Sequence, residues 1–95
     1  MNQSFEQLGR LIERILKDAG LDKQVNESQA INYWNEIAGE EISTLTEPVK
    51  VADGKLFVRV SNPSWRNELI MLKPKIKNKL NKRIGSSTIK DIIFM

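Results

Sequence analysis

The sequence predicts an α+β domain in which a three-stranded sheet packs against helices on one of its faces. Three observations support this prediction. Apolar residues recur at helical spacing near the N-terminus, two alternating segments flank an Asp-Gly pair, and a helical segment followed by a short apolar segment closes the chain. The predicted order is ααββααβ. A chain of 95 residues has the length of one domain, so we expect a single domain over residues 1–95.

The first half of the chain has the pattern of two helices. Apolar residues at three- and four-residue spacing predict a helix over residues 3–19 that ends at Gly20. A second helix is expected over residues 26–38, and Gly39 ends or bends it before one more possible turn. Trp34 lies on the apolar face of this second helix, so we expect its side chain in the core.

The segment PVKVADGKLFVRVS at residues 48–61 predicts a β-hairpin. Alternating residues flank Asp53-Gly54, the pair that a two-residue type I′ turn favours. Successive side chains of a strand point to opposite faces of the sheet. The set expected to face the helices is Val49, Val51, Leu56, Val58 and Val60. The set expected on an open face is Lys50, Lys55, Phe57 and Arg59.

A second helical region follows the hairpin. Asn62-Pro63 has the pattern of an N-cap and a first helical residue. Pro74 lies within the helical pattern, where a missing N–H and a steric clash cost roughly 3 kcal/mol in an uninterrupted helix. We therefore expect two helices that meet near Lys73-Pro74, followed by a last strand over residues 88–94.

The composition excludes several classes of function. The chain has no cysteine and no histidine, which removes disulfides, thiolate zinc sites, cysteine nucleophiles and histidine bases. We predict no catalytic residue, no metal ligand and no cofactor, and therefore a protein that is not an enzyme. No apolar segment is long enough to span a bilayer and no signal peptide is apparent, so we expect a cytoplasmic protein without a membrane partner.

The charge is unevenly distributed along the chain. Residues 1–48 hold four basic and nine acidic residues, a balance of −5, whereas residues 49–95 hold eleven basic and three acidic residues, a balance of +8. This polarity suggests an acidic surface for one partner and a basic surface for another. The densest basic segment contains no acid and comprises Lys73, Lys75, Lys77, Lys79, Lys82 and Arg83.

Two interpretations of this basic segment stay open. It is either a solvated helix surface that keeps the protein soluble, or a surface that contacts phosphates. Surface helices usually interleave charges of opposite sign, because like charges one turn apart repel. We therefore predict that all six basic residues contact nucleic-acid phosphates, and that the basic surface extends over Lys50, Lys55, Arg59 and Arg66.

Phe57 is the one aromatic residue predicted on the open sheet face. It could stack on an unpaired base beside Lys55 and Arg59, as aromatic side chains do in proteins that bind single strands. The alternative is that the ring packs against a loop or a partner subunit.

Five short segments in a fixed order resemble a known family. They are W-x-x-I-x-G at 34–39, D-G-K-L-x-V-x-V at 53–60, the set Ser61, Trp65, Glu68 and Leu69, then L-K-P at 72–74, and L-N-K-R-I-G at 80–85. Together they resemble the DciA-like family, and the resemblance covers nearly the whole chain. It implies a KH-like fold and a role in bacterial DNA replication. DciA-type proteins interact with the replicative DnaB-type helicase, help to load it, and bind DNA without strong sequence preference.

The sequence departs from these patterns in two places. KH domains hold a single-stranded backbone with a G-x-x-G loop, whereas the matching residues here are Met71-Leu72-Lys73-Pro74, so we expect no sequence-reading cleft. The better-known family members carry a long C-terminal extension. This sequence ends at Met95, so we expect a domain without that extension.

The resulting hypothesis is a non-catalytic adaptor that binds nucleic acid and resembles DciA-type helicase loaders. Its expected partners are single- or double-stranded DNA, bound without sequence specificity, and the replicative helicase. One alternative is a KH-like protein that binds RNA. The other is a protein–protein interaction module without nucleic acid, in which the acidic first half of the chain docks on a basic partner.

Overall fold

A computed structural model describes residues 2–18 and 21–95 and confirms the α+β class and the predicted succession of helices, hairpin, helical region and last strand. The described residues contain four α-helices, namely α1 (Asn2–Asp18), α2 (Leu21–Ala38), α3 (Glu40–Leu45) and α4 (Arg66–Ile84). A single 3-10 turn, Pro63–Trp65, leads into α4. The three strands are β1 (Thr46–Ala52), β2 (Lys55–Val60) and β3 (Asp91–Phe94).

The three strands form one mixed sheet with β2 in the centre. β1 pairs with β2 in the antiparallel sense, and β3 pairs with the other edge of β2 in the parallel sense. The turn between β1 and β2 is the predicted Asp53-Gly54 pair, with φ of 54° and 77°. Both values are positive, as a type I′ turn requires, so the hairpin prediction is confirmed.

A β-bulge in β1 corrects one part of the hairpin prediction. The register shifts between Pro48 and Lys50, so that Pro48 lies opposite Val58 and Lys50 lies opposite Phe57. Val49 is the extra residue and is 38% exposed. The prediction that Val49 shares the buried face of the hairpin with Val51 is therefore wrong, because one inserted residue breaks the alternation of faces.

The core lies between the sheet and the helices α2 and α4. It is formed by a single cluster of buried side chains: Ala30, Trp34, Leu56, Val58, Ile76, Leu80, Ile89 and Ile92. The predicted inner residues of β2 are buried, whereas Lys50, Lys55 and Arg59 on the other face are exposed and Phe57 is half-buried. The helices thus cover one face of the sheet and leave the other open, as predicted.

The two tryptophans differ in their surroundings. Trp34 is completely buried, and its Nε1 donates a hydrogen bond to Thr46 Oγ1 over 2.9 Å. Thr46 Oγ1 in turn donates to the carbonyl oxygen of Ile42 over 2.7 Å, so the indole joins α2 to α3 and β1. Trp65, at the start of α4, is only half-buried.

The helix after the hairpin is not interrupted at Pro74, and the prediction of two helices meeting there is wrong. α4 is a single helix of 19 residues, and Pro74 lies inside it. Leu69, Ile76 and Leu80 are buried on both sides of the proline. Burying each such side chain contributes about 1.5–3 kcal/mol, which together outweighs the roughly 3 kcal/mol that an internal proline costs. Pro74 itself is exposed, so its ring does not disturb the buried stripe of the helix.

The helix boundaries in the first half also differ from the prediction. α2 begins at Leu21, five residues before the expected start at 26, and ends at Ala38 as expected. Gly39 has a φ of 92°, and the expected extra turn after it is the six-residue helix α3. The predicted stop of the first helix at Gly20 lies outside the described residues. Asn62 caps the helical region after the hairpin, since its Oδ1 accepts a hydrogen bond from Ser64 N over 3.0 Å.

Candidate nucleic-acid interface

Three exposed lysines share one face of α4. Lys75, Lys79 and Lys82 follow each other at i, i+4 and i+7, and residues with this spacing lie along one side of a helix. We call these three residues the lysine face. Among the described residues, no carboxylate oxygen lies within 4.0 Å of their ammonium groups. The lysine face therefore carries three positive charges without a close counter-charge.

Three other basic residues of α4 lie on the opposite side of its buried stripe. Arg66, Lys73 and Lys77 are spaced at i, i+7 and i+11, so they share a face with one another and not with the lysine face. We call these three residues the second basic face. The predicted basic residues flank the apolar stripe of α4 as expected, but they form two surfaces instead of one.

Lys73 connects the second basic face to the sheet. Its Nζ lies 3.2 Å from Oδ1 of Asp91, the first residue of β3. Lys55 of β2 lies opposite Asp91 in the parallel register, so Asp91 has a lysine on each side. The basic surface thus continues from α4 past the start of β3 to the open face of the sheet.

The surroundings of Asp91 change its acidity. Partial burial raises the pKa of the Asp91 carboxyl, but the backbone N–H of Ile92 and the ammonium groups of Lys73 and Lys55 lower it by more. The net pKa is therefore below the ordinary value of 3.8. Asp91 is consequently ionised in the folded domain at neutral pH and holds the Lys73 side chain in place.

This shift predicts a dependence of stability on pH. The pKa of Asp91 is lower in the folded than in the unfolded chain, so its contribution to stability is complete above pH 3.8 and is lost as the pH falls through the folded-state pKa. In the Lys73→Gln variant we expect the pKa of Asp91 to rise. An NMR titration of its carboxyl carbon measures this directly, with Lys79→Gln as the control that leaves the pKa unchanged. An unchanged pKa in Lys73→Gln would show that the ion pair is absent in solution.

Arg83 is held by a residue from the acidic half of the chain. Its Nε donates a hydrogen bond to Glu36 Oε2 over 2.8 Å, and its guanidinium carbon lies 4.1 Å from the centre of the Tyr33 ring. The hydrogen bond and the negative charge of Glu36 raise the pKa of Arg83. Arg83 therefore links the end of α4 to α2, and its predicted contact with phosphate stays a prediction.

The open face of the sheet combines basic and apolar side chains. The ammonium of Lys50 lies 5.1 Å from the centre of the Phe57 ring, and Ile93 of β3 is the register partner of Phe57 on the other side. Arg59 Nη1 lies 2.9 Å from Oε2 of Glu47, its cross-strand partner. This face therefore offers an aromatic ring between basic groups, one of which is neutralised by a neighbouring carboxylate.

Sequence reasoning missed the residues that position these groups. Glu36, Glu47 and Asp91 each pair with a predicted basic residue, yet nothing in the local sequence indicates which carboxylate meets which base. Asn81 was also missed: its side chain donates to the Ile89 carbonyl over 2.7 Å and accepts from the Ile89 N–H over 2.9 Å. These two hydrogen bonds hold the segment between α4 and β3 against the helix. The local sequence does not predict them, because an asparagine within a lysine-rich helix is usually a surface residue.

The structure also bears on the other kinds of site that were considered. The four residues that replace the G-x-x-G loop, 71–74, lie inside α4 and form no turn that could hold a phosphodiester backbone. Within residues 2–18 and 21–95 no group of three acidic, histidine or cysteine side chains is placed to bind a metal ion. None of the helices described is long and apolar enough to cross a membrane.

The fold and the site define a small α+β domain with two basic helix faces and an open, partly basic sheet.

Comparison with known proteins identifies the family. The family described as "Dna[CI] antecedent, DciA" matches residues 7–94, so the chain belongs to the DciA family. A UPF0232 protein of Rhodococcus jostii is 29% identical over 84 residues, which cover 88% of this chain and 45% of the relative. A UPF0232 protein of Corynebacterium glutamicum is 23% identical over 87 residues, covering 92% of this chain and 49% of the relative. The chain spans about half the length of the curated relatives that it matches.

Proposed function

We propose that this domain is a non-catalytic adaptor that binds nucleic acid without sequence specificity and acts in the cytoplasm in the loading of the replicative helicase. Membership of the DciA family supports the role in replication. The KH-like assignment of the fold is part of the same proposal, since the α+β sheet order is compatible with it.

The lysine face is the observation that carries the nucleic-acid part of the proposal. Lys75 and Lys79 are one turn apart, and like charges at this spacing destabilise a helix by a few tenths of a kcal/mol per pair. A phosphate backbone removes this repulsion and releases its condensed counterions as each lysine binds. Lysines recognise phosphate as point charges, so the contact selects a polyanion and not a base sequence.

The second basic face and the open sheet extend the proposed contact. Exposed ion pairs such as Arg59–Glu47 contribute roughly 0–1 kcal/mol, so a phosphate can replace the carboxylate at little cost. The proposed phosphate contacts outside the lysine face are Lys50, Lys55, Arg59, Arg66, Lys73, Lys77 and Arg83. Stacking of the Phe57 ring on an unpaired base is part of the same proposal, and the ammonium of Lys50 beside the ring supports it.

The acidic first half of the chain is assigned to a protein partner. Glu40 and Glu41 are exposed in the first turn of α3, and neither forms an ion pair with a basic residue within the described part of the chain. A negatively charged surface of this kind suits a basic patch on the helicase or another protein. DNA and protein would then occupy different surfaces of the same small domain, as an adaptor requires.

The salt dependence of binding tests the proposal. We expect the affinity for labelled duplex DNA, measured by fluorescence anisotropy between 50 and 200 mM salt, to fall linearly in log–log form. The slope should lie between roughly −3, for the lysine face alone, and roughly −9, for all ten proposed phosphate contacts. The affinity should be the same for unrelated sequences of equal length.

The alternatives give different results in the same assay. RNA that outcompetes DNA of equal length would favour the RNA-binding alternative. Absence of binding to both polymers at 50 mM salt would contradict the proposal. Direct binding of the purified helicase in nuclease-treated samples would then assign the domain to protein–protein interaction alone.

A further inference from the structure

The side of α4 that points away from the core carries no charge along its middle. Asn67, Met71, Pro74 and Asn78 follow one another at i, i+4, i+7 and i+11, so they share one side of the helix. All four residues are exposed, and Met71 is 81% exposed. We call these four residues the outer line. They lie opposite the buried stripe of the helix, so the outer line is the part of α4 that meets a partner first.

Basic residues flank the outer line on both sides. The lysine face lies about a quarter of a turn to one side of it, and the second basic face about a quarter of a turn to the other. Glu68 is the only acid in the sequence of α4 and lies in its first turn, before the lysine face begins. The outer line is therefore an uncharged strip between two rows of positive charge.

This charge pattern selects a class of partner. Two rows of positive charge around an uncharged strip are complementary to two rows of negative charge around an uncharged surface. A nucleic-acid duplex has this form, because two phosphate backbones border a groove whose floor consists of base edges. A single strand offers only one backbone. A membrane surface requires a helix with a wide apolar side free for insertion, whereas the apolar stripe of α4 is buried in the core.

The dimensions of a helix distinguish between the grooves. The two basic faces lie on opposite sides of α4, and a helix with its side chains is about 10–12 Å across. The major groove of B-form DNA is about 12 Å wide and admits a helix, whereas the minor groove is about 6 Å wide. The major groove of A-form RNA is deep and narrow, so side chains do not reach its floor. The major groove of B-form DNA therefore fits α4 best.

We propose that α4 inserts its outer line into the major groove of duplex DNA, with the lysine face on the phosphates of one strand and the second basic face on those of the other. The inference rests on the proposed function and adds to it the form of the polymer and the groove. Met71 and Pro74, in the middle of the outer line, have no hydrogen-bond donor in their side chains. Their contacts with base edges are apolar, chiefly with thymine methyl groups, and discriminate little between sequences.

Chemical footprinting with the whole chain locates the groove. Dimethyl sulfate methylates guanine N7 in the major groove and adenine N3 in the minor groove. We expect bound protein to protect guanine N7 and to leave adenine N3 reactive. In fluorescence anisotropy at about 50 mM salt, duplex DNA should bind roughly 10-fold or more tightly than single-stranded DNA or duplex RNA of equal length.

The variant Met71→Arg tests whether the outer line faces bases. A guanidinium in the major groove binds guanine O6 and N7, so this variant should prefer G·C-rich over A·T-rich duplexes by roughly 5-fold or more. The matched control Gln24→Arg adds the same charge at an exposed position of α2 and should show no such preference. Both positions are exposed, and far-UV circular dichroism checks that both variants are folded.

The possible failures point to different conclusions. Full reactivity of guanine N7 in the bound duplex would overturn the insertion of α4, as would a Met71→Arg variant that binds more tightly without any sequence preference. Both results would leave phosphate binding by the basic residues intact. Tighter binding to phosphatidylglycerol vesicles than to duplex DNA would overturn the inference in favour of a lipid surface. Absence of binding to every nucleic acid would overturn the inference together with the proposed function.

Discussion

Replacement of Lys75, Lys79 and Lys82 together by glutamate is expected to abolish detectable binding to DNA at 50 mM salt. The substitution removes three phosphate contacts and places three negative charges where the backbone would lie. Loss of the contacts alone should flatten the log–log salt slope for duplex DNA by about 3, and the reversed charges add repulsion. We expect a decrease in affinity of at least roughly 100-fold by fluorescence anisotropy.

Two further variants separate the lysine face from charge in general. The triple variant Arg14→Glu, Lys17→Glu and Lys23→Glu changes the net charge by the same amount on α1 and α2, and should reduce the affinity far less. The triple variant Arg66→Glu, Lys73→Glu and Lys77→Glu tests the second basic face and should give an intermediate loss. Equal losses in all three variants would mean that only net charge matters, and the lysine face would then have no special role.

Replacement of Trp34 by alanine should cause the largest loss of stability of any single substitution considered in this domain. The indole is 0% exposed and packs within the core cluster, with its ring centre 6.4 Å from that of Phe94. Removal of a buried tryptophan side chain costs about 3–5 kcal/mol through lost burial and the cavity that remains. Because small domains have only about 5–15 kcal/mol of stability in total, we expect this variant to be partly unfolded at 37 °C.

Trp65→Ala is the matched control for Trp34→Ala. Trp65 is half-buried, and its side chain makes no hydrogen bond to another described residue. We therefore expect its replacement to lower the free energy of unfolding by roughly 1–2 kcal/mol. Urea unfolding followed by circular dichroism compares the two variants without relying on tryptophan fluorescence. Equal losses of unfolding free energy would contradict the central position that α2 gives to Trp34.

Short-range patterns were sufficient to predict most of the elements. The Asp53-Gly54 pair between alternating strands predicted a type I′ hairpin, and both residues have positive φ. Asn62-Pro63 predicted the start of the helical region after it, and the Asn62 side chain caps that region. These predictions succeeded because the turn and the cap are each decided by the conformational preferences of two or three neighbouring residues.

The candidate site was only partly predictable. The sequence identified the basic residues of α4, and the helical repeat then separates Lys75 and Lys79 from Lys73 and Lys77. It did not indicate that Lys73 meets Asp91 or that Arg83 meets Glu36, which is 47 residues away along the chain. Pairs of this kind depend on how helices and strands are placed relative to each other, and no local pattern encodes that placement.

By itself, the sequence determined the class of the fold, the hairpin turn, the absence of histidine and cysteine chemistry, and the concentration of positive charge in the second half of the chain. Only the tertiary structure decided that α4 runs through Pro74, that Val49 forms a bulge, and that the large apolar side chains described on α1 are exposed. The physical reason is the distance along the chain over which the deciding interactions act. Turns, caps and charge are properties of neighbouring residues, whereas the continuity of a helix and the fate of an apolar face depend on burial against distant parts of the chain.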